Sequence, residues 1–477
     1  MKAWKSGVWV MSGQVVSIAV NLATLAILGR ILTPAEFGLF GIVLAMQALI
    51  LPLIDMGLKP AYIKLDRATA QASNVFFSIN VYIGCLISLV FIIVTPELAS
   101  FYESDKLGEL SQAFAASIFL TAMNGQASAV LMRNKRFDQL VLIDMSVFVT
   151  GAALSVLLAW KGYGVWALIY RAVYESAVKL ALLLLVARCS FRLVGFSKVK
   201  PYLQDVKFGL EIILSRFVGG WVKAIDKLVL AKFVSMDVLG GYTRSQQLAL
   251  MPDANIRTSI TSPALAYLAR KKNGPSLDDY IMLNWVVFLF AGTPCLVLIA
   301  FGDRILPAFL GNQWVELGWI LQWMGLFGLA RVFQGMATVY HVDRKVMKRN
   351  IAYTLISIVT VLSVPLGLLF GLYSIDHFVR VISILSVTYW FFVLLHTMTR
   401  DWSNAHGRIF RVFAKFFAIG VVSVMSALYL RSAVVNAASL SELILGIILQ
   451  ILITLGMFIL INSKEVTELW RMVWGNR

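Results

Sequence analysis

Long apolar segments, each separated from the next by a short polar turn, recur along the whole chain. A run of about 20 apolar residues can cross the hydrocarbon core of a bilayer as a helix, in which every backbone polar group is satisfied internally. The pattern predicts an all-α polytopic membrane protein with about fourteen transmembrane helices. The predicted spans are roughly residues 7–29, 37–58, 72–96, 110–132, 141–160, 164–187, 208–235, 239–263, 281–301, 315–340, 350–372, 378–397, 412–430 and 440–462.

Composition agrees with this class and restricts the chemistry. Of 477 residues, 59% are hydrophobic and 14% charged, whereas soluble domains are about 45–50% apolar. Cys85, Cys189 and Cys295 are scattered, and the four histidines form no paired motif, so neither a disulfide framework nor a metal site is predicted. No catalytic or nucleotide-binding motif is present, which predicts a transporter rather than an enzyme, with no cofactor. A proton gradient, a cation gradient, the membrane potential or the substrate's own gradient would then drive transport.

The basic residues are distributed by side of the membrane. The net charge is +17, and the segments on the side of the N-terminus hold about five times as many lysines and arginines as the opposite segments. Because basic residues concentrate in cytoplasmic loops, both termini are predicted to lie in the cytoplasm. Anionic lipid headgroups, not nucleic acid, are the partners that such loops favour.

A weak internal repeat predicts two lobes. The stretch LGRILTPAEFGLF at 28–40 matches LAKFVSMDVLGGY at 230–242 with an offset of 202, and 98–104 matches 306–312 with an offset of 208. Matched turns at nearly equal offsets predict two six-helix bundles related by an axis along the membrane normal. The predicted divisions are a six-helix N-terminal lobe at 1–187, a basic cytoplasmic linker at 188–207, a six-helix C-terminal lobe at 208–397, and two extra helices with a tail at 398–477.

The predicted seventh span carries an unusual number of charges. On a helix, Arg216, Lys223 and Lys227 fall within roughly 40° of one another. Each ionisable group at that depth costs at least ~2.5–3.5 kcal/mol unless it faces protein or water. The stripe therefore predicts either a water-filled cationic cavity or internal pairing with Asp226, and one acid cannot neutralise three cations.

Other spans add charges to this candidate site. Arg171, Glu175 and Lys179 follow one another at intervals of four on the sixth span, and Arg331 lies in the tenth. If the lobes face each other, Arg171 and Lys179 would complete the cavity. Alternatively, Glu175 satisfies both cations and they have no other role. Asp226 and Glu175 are also candidate coupling carboxylates that trade a proton or a cation for substrate, unless they only pair with neighbouring cations.

Seven stretches between roughly residues 10 and 340 form a recognisable series. They are, in chain order, ILTPAEFGLFGIV, LIDMGL, RFDQLVLIDM, GYGVWALIYR, FGLEIILSRFVGG, AIDKLVLAKF and LGGYTRSQQLALMP. This series resembles the Wzx-type polysaccharide exporters, in particular the colanic-acid and succinoglycan branch of the multidrug/oligosaccharidyl-lipid/polysaccharide superfamily.

The resemblance implies a V of two six-helix bundles that flips an undecaprenyl-pyrophosphate-linked oligosaccharide across the bacterial inner membrane. Polymerase or export machinery would be a further partner. Arg30, Glu36 and Asp55 fall on family motif positions, where they could also serve turns and helix ends. Lys227 follows Asp226 where the family usually has Asn, which adds a cation to the stripe.

Three functions other than that of a flippase are alternatives. A cation- or proton-coupled small-molecule or multidrug antiporter of the same fold would favour an acidic cavity, whereas basic residues outnumber acidic ones within the predicted spans. A glycan polymerase or ligase would need a large outer loop, and none is predicted. A non-transporting component of a glycan assembly complex would share all these sequence features.

Overall fold

The structure is a computed structural model of the chain. It describes residues 2–55, 57–65, 69–187, 191–202, 224–268, 271, 274–369, 374–433 and 440–461. The chain divides into two compact units, Met1–Gly240 and Gly241–Arg477. The lobe boundaries expected from the sequence, at 187, 207 and 397, stay predictions.

The described part of the first unit is helical. Its elements are α1 (Lys2–Ile31), α2 (Pro34–Asp55), α3 (Leu58–Lys64), α4 (Ala70–Phe101), α5 (Asp105–Arg133), α6 (Phe137–Trp160), α7 (Trp166–Ala187), a 3-10 helix (Phe196–Tyr202), α8 (224–233) and the start of α9 (Met236–Met251).

The second unit continues α9 through a π-helical segment. Its elements are the π-helix Pro252–Arg257, α10 (Thr258–Leu268), α11 (Leu277–Val287), the π-helix Phe288–Gly292, α12 (Thr293–Leu310), the 3-10 helix Asn312–Leu317, α13 (Gly318–Asp343), α14 (Met347–Leu369), α15 (Ile375–Asp401), the 3-10 helix Ser403–Ala405, α16 (His406–Ala433) and α17 (Leu440–Ile461).

Eight helical segments within the described ranges are long and apolar enough to cross a membrane. This confirms the all-α, multi-pass membrane class predicted from hydropathy. The count of fourteen spans and the arrangement of the repeats stay predictions. The eight segments are Pro34–Lys64, Ala70–Phe101, Asp105–Arg133, Phe137–Trp160, Leu277–Leu310, Ile375–Asp401, His406–Arg431 and Ser441–Ile461.

Local sequence signals set several helix starts. The side chain of Thr69 accepts a hydrogen bond from the Ala72 amide before α4, and Ser104 accepts one from the Leu107 amide before α5. Ser276 forms a capping box with Asp279 at the start of α11. Such caps satisfy amides that have no partner inside the helix.

Two turns, one in each unit, have the same backbone conformation. The α5–α6 turn places Lys135 at φ 56, and the α13–α14 turn places Lys345 at φ 56. Both turns close with equivalent bonds, for example from the Arg136 amide to the Leu131 carbonyl and from the Val346 amide to the His341 carbonyl. These positions differ by 210, close to the offset of 208 read from the sequence. The α4–α5 turn closes in the same way, from the Ser104 amide to the Ala99 carbonyl, so the repeat stays a prediction.

Each unit has its own apolar packing. In the first unit, α5 packs against α4 and α7, and α7 packs against α6. In the second unit, Trp285 is fully buried, with ring centroids 3.9 Å from Phe416 and 5.5 Å from Phe458. α16 and α17 therefore pack into this unit's core, and Arg431 also forms a 2.6 Å ion pair with Asp303 of α12.

Candidate functional site

The two cations of α7 have different partners, one within the same helix and one on a neighbouring helix. Arg171 donates from Nε to Glu175 Oε1 at 2.7 Å, one turn further along the same helix, and its guanidinium lies 5.2 Å from the Phe148 ring centroid. Lys179 instead pairs with Asp144 of α6, at 2.7 Å between Nζ and Oδ1. Glu175 therefore partners one of the two cations, and Asp144 supplies the second carboxylate.

The Glu175 side chain packs closely against α6 at Gly151. A Cβ at Gly151 would lie 2.5 Å from Glu175 Oε1, so only glycine leaves room for the carboxylate there. The Arg171 side chain is 18% exposed and the Glu175 side chain 29% exposed. This charge pair is thus partly accessible, not sealed in the core.

Uncharged polar side chains of α5 form hydrogen bonds with Ser176 of α7. Ser176 hydrogen-bonds to Ser117 at 3.0 Å and to Thr121 at 3.2 Å, and Asn124 donates to the Ser176 carbonyl at 3.1 Å. Such bonds between helices are a common way of fixing neighbouring spans.

On α8 the structure describes part of the predicted cationic stripe. Asp226 is only 3% exposed. Its Oδ1 accepts from the backbone amide of Lys227 at 2.9 Å and from Lys227 Nζ at 3.3 Å. Lys227 is therefore partnered by the acid beside it in sequence. Arg216 and Lys223 lie outside the described residues, so the common face of the three cations stays a prediction.

The end of α8 is fixed to the α4–α5 turn. Lys232 Nζ donates to Glu103 Oε1 at 2.8 Å and to the Phe101 carbonyl at 2.8 Å. Tyr102 donates its hydroxyl to the Leu228 carbonyl at 3.0 Å. Lys232 holds the pKa of Glu103 below its usual value, and burial raises the pKa of Tyr102 to about 12.

In the second unit, Arg331 lies on α13 and donates to Gln334 at 2.5 Å, with its guanidinium 5.9 Å from the Phe327 ring centroid. Arg257, in the π-helical segment before α10, forms an ion pair with Asp253. A Cβ at Gly335 of α13 would clash with the Arg257 side chain, so this arginine packs directly against α13.

Of the three family motif positions in the first unit, Glu36 is the one that the structure shows joining two turns. Glu36 accepts from the Thr33 amide at 2.9 Å and from the Val165 amide at 3.0 Å, which ties the α1–α2 turn to the α6–α7 turn. Arg30 lies exposed in the last turn of α1. The side chain of Asp55, at the end of α2, lies outside what the structure describes.

The starts of α2 and α9 are in close contact. A Cβ on Gly38 would lie 2.0 Å from the Met236 carbonyl oxygen, and a Cβ on Gly240 would lie 1.9 Å from the Pro34 carbonyl oxygen. Asp237 accepts a 3.0 Å hydrogen bond from the Ala35 amide. The sequence repeat aligned these segments but gave no sign that they touch.

Sequence reasoning missed several polar residues of this region. Asp144, which lies within the predicted fifth span, was not predicted as the partner of Lys179. Ser117, Thr121 and Asn124 recur at helical spacing, a signal that could have identified the α5 polar face. Across the described ranges, no group of three metal-ligating side chains lies together.

The fold and these charges within apolar helices define a polytopic helical membrane protein. The chain belongs to the polysaccharide biosynthesis protein family, whose model matches residues 27–318. This confirms the Wzx-type resemblance read from the motifs.

The chain is similar in sequence to three proteins of bacterial surface-polysaccharide loci or pathways. An uncharacterized membrane protein in the cps region of Klebsiella pneumoniae is 24% identical over 70% of this chain and 69% of its own. The teichuronic acid biosynthesis protein TuaB of Bacillus subtilis is 23% identical over 66% and 65%, respectively. The lipopolysaccharide biosynthesis protein WzxC of Escherichia coli is 22% identical over 68% and 66%. The similarity thus spans about two thirds of these relatives.

Solved structures share the fold. A structure described as lipid II flippase MurJ in an inward closed conformation superposes with a TM-score of 0.70 at 14% identity, covering 97% of this chain and all of that one. An inward-facing multidrug resistance MATE family transporter gives a TM-score of 0.56 at 15% identity, covering 80% and 94%. At these identities the likeness extends to the fold alone.

Proposed function

We propose that the protein is a flippase that moves an undecaprenyl-pyrophosphate-linked oligosaccharide across the bacterial inner membrane. The oligosaccharide would serve exopolysaccharide or lipopolysaccharide biosynthesis. The lobes would alternate in exposing a central cationic cavity to the two sides. Family membership supports the link to polysaccharide biosynthesis, and the fold shared with a lipid flippase supports movement of a lipid-linked cargo.

The observation that carries the proposal is a set of cations on apolar helices, each paired with a carboxylate. An anionic cargo could take the place of that carboxylate. Arg171, Lys179 and Lys227 each have an acid within 3.3 Å or less. The side chains of Arg171 and Lys179 are 18% and 31% exposed, so an anion could reach them. Without cargo, the acids neutralise the cations and lower the free energy of keeping them in the membrane.

A pyrophosphate needs such a site. Moving a charged group from water into hydrocarbon has an idealised cost on the order of 20 kcal/mol per ion. Cations in a partly dehydrated cavity attract an anion several times more strongly than water-exposed cations do. We infer that the pyrophosphate exchanges with the carboxylates for these cations, and that Arg216, Lys223 and Arg331 contribute to the same cavity.

Released carboxylates offer a coupling mechanism. When the cargo takes the cations, Glu175 or Asp226 would exchange its cationic side-chain partner for a proton or another cation. The driving force would then be a proton or cation gradient, with no bound cofactor. Membrane lipids, the lipid-linked oligosaccharide and the polymerase or export machinery are the proposed partners, and both termini would lie in the cytoplasm.

Charge-neutralising variants of α7 test the proposal. In cells that depend on this protein for a surface glycan, Arg171→Gln and Lys179→Gln should each lower export by at least tenfold. Arg171→Lys should retain more activity because it keeps the charge. Surface glycan, lipid-linked oligosaccharide on the cytoplasmic leaflet and folded protein in the membrane are measured in the same cells.

Lys161→Gln is the matched control, because Lys161 is an exposed cation in the α6–α7 turn and its loss removes the same charge. Normal export by an Arg171→Gln, Lys179→Gln double variant would refute the cationic site. Loss of folded protein in the single variants would instead assign these pairs a purely structural role.

The second candidate is a proton- or cation-coupled small-molecule antiporter, which the fold shared with a multidrug MATE transporter favours. It predicts that Glu175→Gln raises sensitivity of cells to cationic compounds while surface glycan is unchanged. The flippase proposal predicts the opposite pattern, in which glycan export changes and drug sensitivity does not.

A further inference from the structure

His341 is a buried titratable group with no role in the mechanism above. It lies in the last turn of α13 and is 0% exposed. The Ala337 carbonyl and the Asn350 side chain lie beside its ring. Neither ring nitrogen, however, completes a hydrogen bond of normal geometry with any residue that the structure describes.

The surroundings of this ring are rich in polar and titratable groups. Its centroid is 5.6 Å from that of Tyr353 on α14 and 5.8 Å from that of Tyr340 on α13. The titratable and charged side chains of the packed helix ends are Tyr280 (α11), Tyr340, Asp343 and Arg344 (α13), Arg349 and Tyr353 (α14), and His396 and Asp401 (α15).

The polar groups beside the His341 ring that could form hydrogen bonds with it are mainly acceptors. A neutral imidazole has one N–H donor, whereas the protonated ring has two donors and no acceptor. The Ala337 carbonyl can accept a hydrogen bond. Asn350 Oδ1 accepts one from Thr338 at 3.2 Å and retains a second lone pair. Asp401 supplies a negative charge nearby. These groups favour the protonated ring, but burial and Arg349 outweigh them and hold the pKa of His341 below its usual value.

One cation opposes protonation. Arg349 lies close enough to the ring to repel a proton there, and its Nη1 is 3.5 Å from Asp401. Tyr340 also donates to Asp401. A proton on His341 would therefore compete with Arg349 for Asp401, which lies at the end of α15. Because these side chains come from three helices, the protonation state and the packing of the helix ends must depend on each other.

We propose that His341 is a reversible proton-binding site that couples proton uptake to the packing of α13 against α14 and α15. The proposal rests on the proposed function in one respect: if the protein is a flippase, the proton bound by His341 is an ion that drives translocation. Burial favours the neutral ring while Arg349 holds Asp401. A rearrangement that moves Arg349 away would allow the proton to bind.

Nuclear magnetic resonance of ¹⁵N-histidine protein in lipid nanodiscs tests the site directly, because the chain has only four histidines. His341→Gln assigns the resonance. In a scan between about pH 5 and 8, we expect the ring to titrate reversibly with its pKa below the ordinary histidine value, because burial and then Arg349 disfavour the charged form. Arg349→Gln should raise its midpoint by removing the repelling charge, and Asp401→Asn should lower it. A ring that keeps one charge state across this range, in wild type and in Arg349→Gln, would overturn the proposal.

A distance between α13 and α15, measured at several pH values, tests whether proton binding by His341 changes the packing of these helices. Spin labels at Lys345→Cys and Arg400→Cys, both exposed positions near the ends of α13 and α15, are placed in a variant without the three native cysteines. The distance between them should change with pH in this protein and in the His396→Gln control, whose histidine is exposed on α15. It should not change in His341→Gln.

If the distance between the two spin labels does not change with pH in the labelled protein that keeps all four histidines, the proposed coupling is wrong. If His341→Gln fails to fold, the Arg349→Gln midpoint decides the matter, because that variant keeps the imidazole. Neither experiment uses a lipid-linked sugar, so a negative result here leaves the flippase proposal intact. Normal export by the α7 variants would, conversely, leave this proton site standing.

Discussion

Gly38 and Gly240 occupy equivalent positions in a contact that is nearly symmetric. Each would place a Cβ about 2 Å from a carbonyl oxygen at the start of the other's helix, Gly38 from Met236 and Gly240 from Pro34. Both pairs of equivalent positions differ by 202, which is the offset of the sequence repeat. The two contacts are therefore reciprocal, whereas the arrangement of the repeats stays a prediction.

The first prediction is that Gly38→Ala separates the starts of α2 and α9. The added methyl cannot fit against a backbone carbonyl, and overpacking typically costs about 1–3 kcal/mol. We expect a melting temperature lower by several degrees in detergent, measured by fluorescence-detected size-exclusion chromatography. Gly456→Ala is the control, because nothing lies within 4 Å of the added Cβ. An unchanged melting temperature in Gly38→Ala would contradict the close contact.

A second prediction concerns Glu103 and Lys232. Lys232 lowers the pKa of Glu103, so the pair stabilises the folded protein above the ordinary carboxyl pKa of about 4.3. The contribution should disappear as pH falls through the lowered pKa, where the folded protein also binds the proton. The melting temperature of Glu103→Gln should therefore lie slightly below wild type at pH 7 and match it in strong acid.

The effect should be small, because the Glu103 side chain is 80% exposed and surface pairs contribute little. In a Lys232→Gln background, Glu103→Gln should change nothing. A persistent difference in that background would mean that Glu103 acts through another partner.

The third prediction tests the coupling role of Asp226. Asp226→Asn should abolish gradient-driven flipping while the protein still inserts and binds its cargo, because the amide cannot release or take up a proton. Proteoliposomes with an imposed pH gradient give the flipping rate, and a pull-down with the lipid-linked oligosaccharide gives binding. Asp138→Asn, which neutralises an acid in the first turn of α6, is the control. Normal gradient-driven flipping would leave Asp226 only as the partner of Lys227.

The fourth prediction is the membrane topology. Reporter fusions at Asn273 and Asn404 should report the cytoplasm, and fusions at Glu103 and Asn312 the outer side. The reason is the strong bias of basic residues toward the segments on the side of the N-terminus. Alkaline phosphatase and green fluorescent protein fusions give opposite signals on the two sides. A single fusion on the wrong side would contradict the arrangement of fourteen spans.

The sequence alone predicted the features that depend on neighbouring residues. Apolar runs of membrane length and the polar turns between them predicted an all-helical, multi-pass protein, and the structure confirms this class. The repeat was read from two turn segments. Glu103 and Gly311, which are 208 positions apart, both have a positive φ, but the values are 53 and 109, so the two turns differ and the repeat stays a prediction. Turn conformation is set by a few adjacent residues, and for that reason it can be read locally.

Only the tertiary structure decided which charges meet. Helical spacing placed Lys179 one turn from Glu175, yet Lys179 pairs with Asp144 of α6. Glu36 accepts from the amide of Val165, which is 129 positions away. His341 has no local feature that distinguishes it from the exposed His396, although only His341 is fully buried. Periodicity gives the face of a helix on which a residue lies, but the partner depends on which helix packs there and in what rotation.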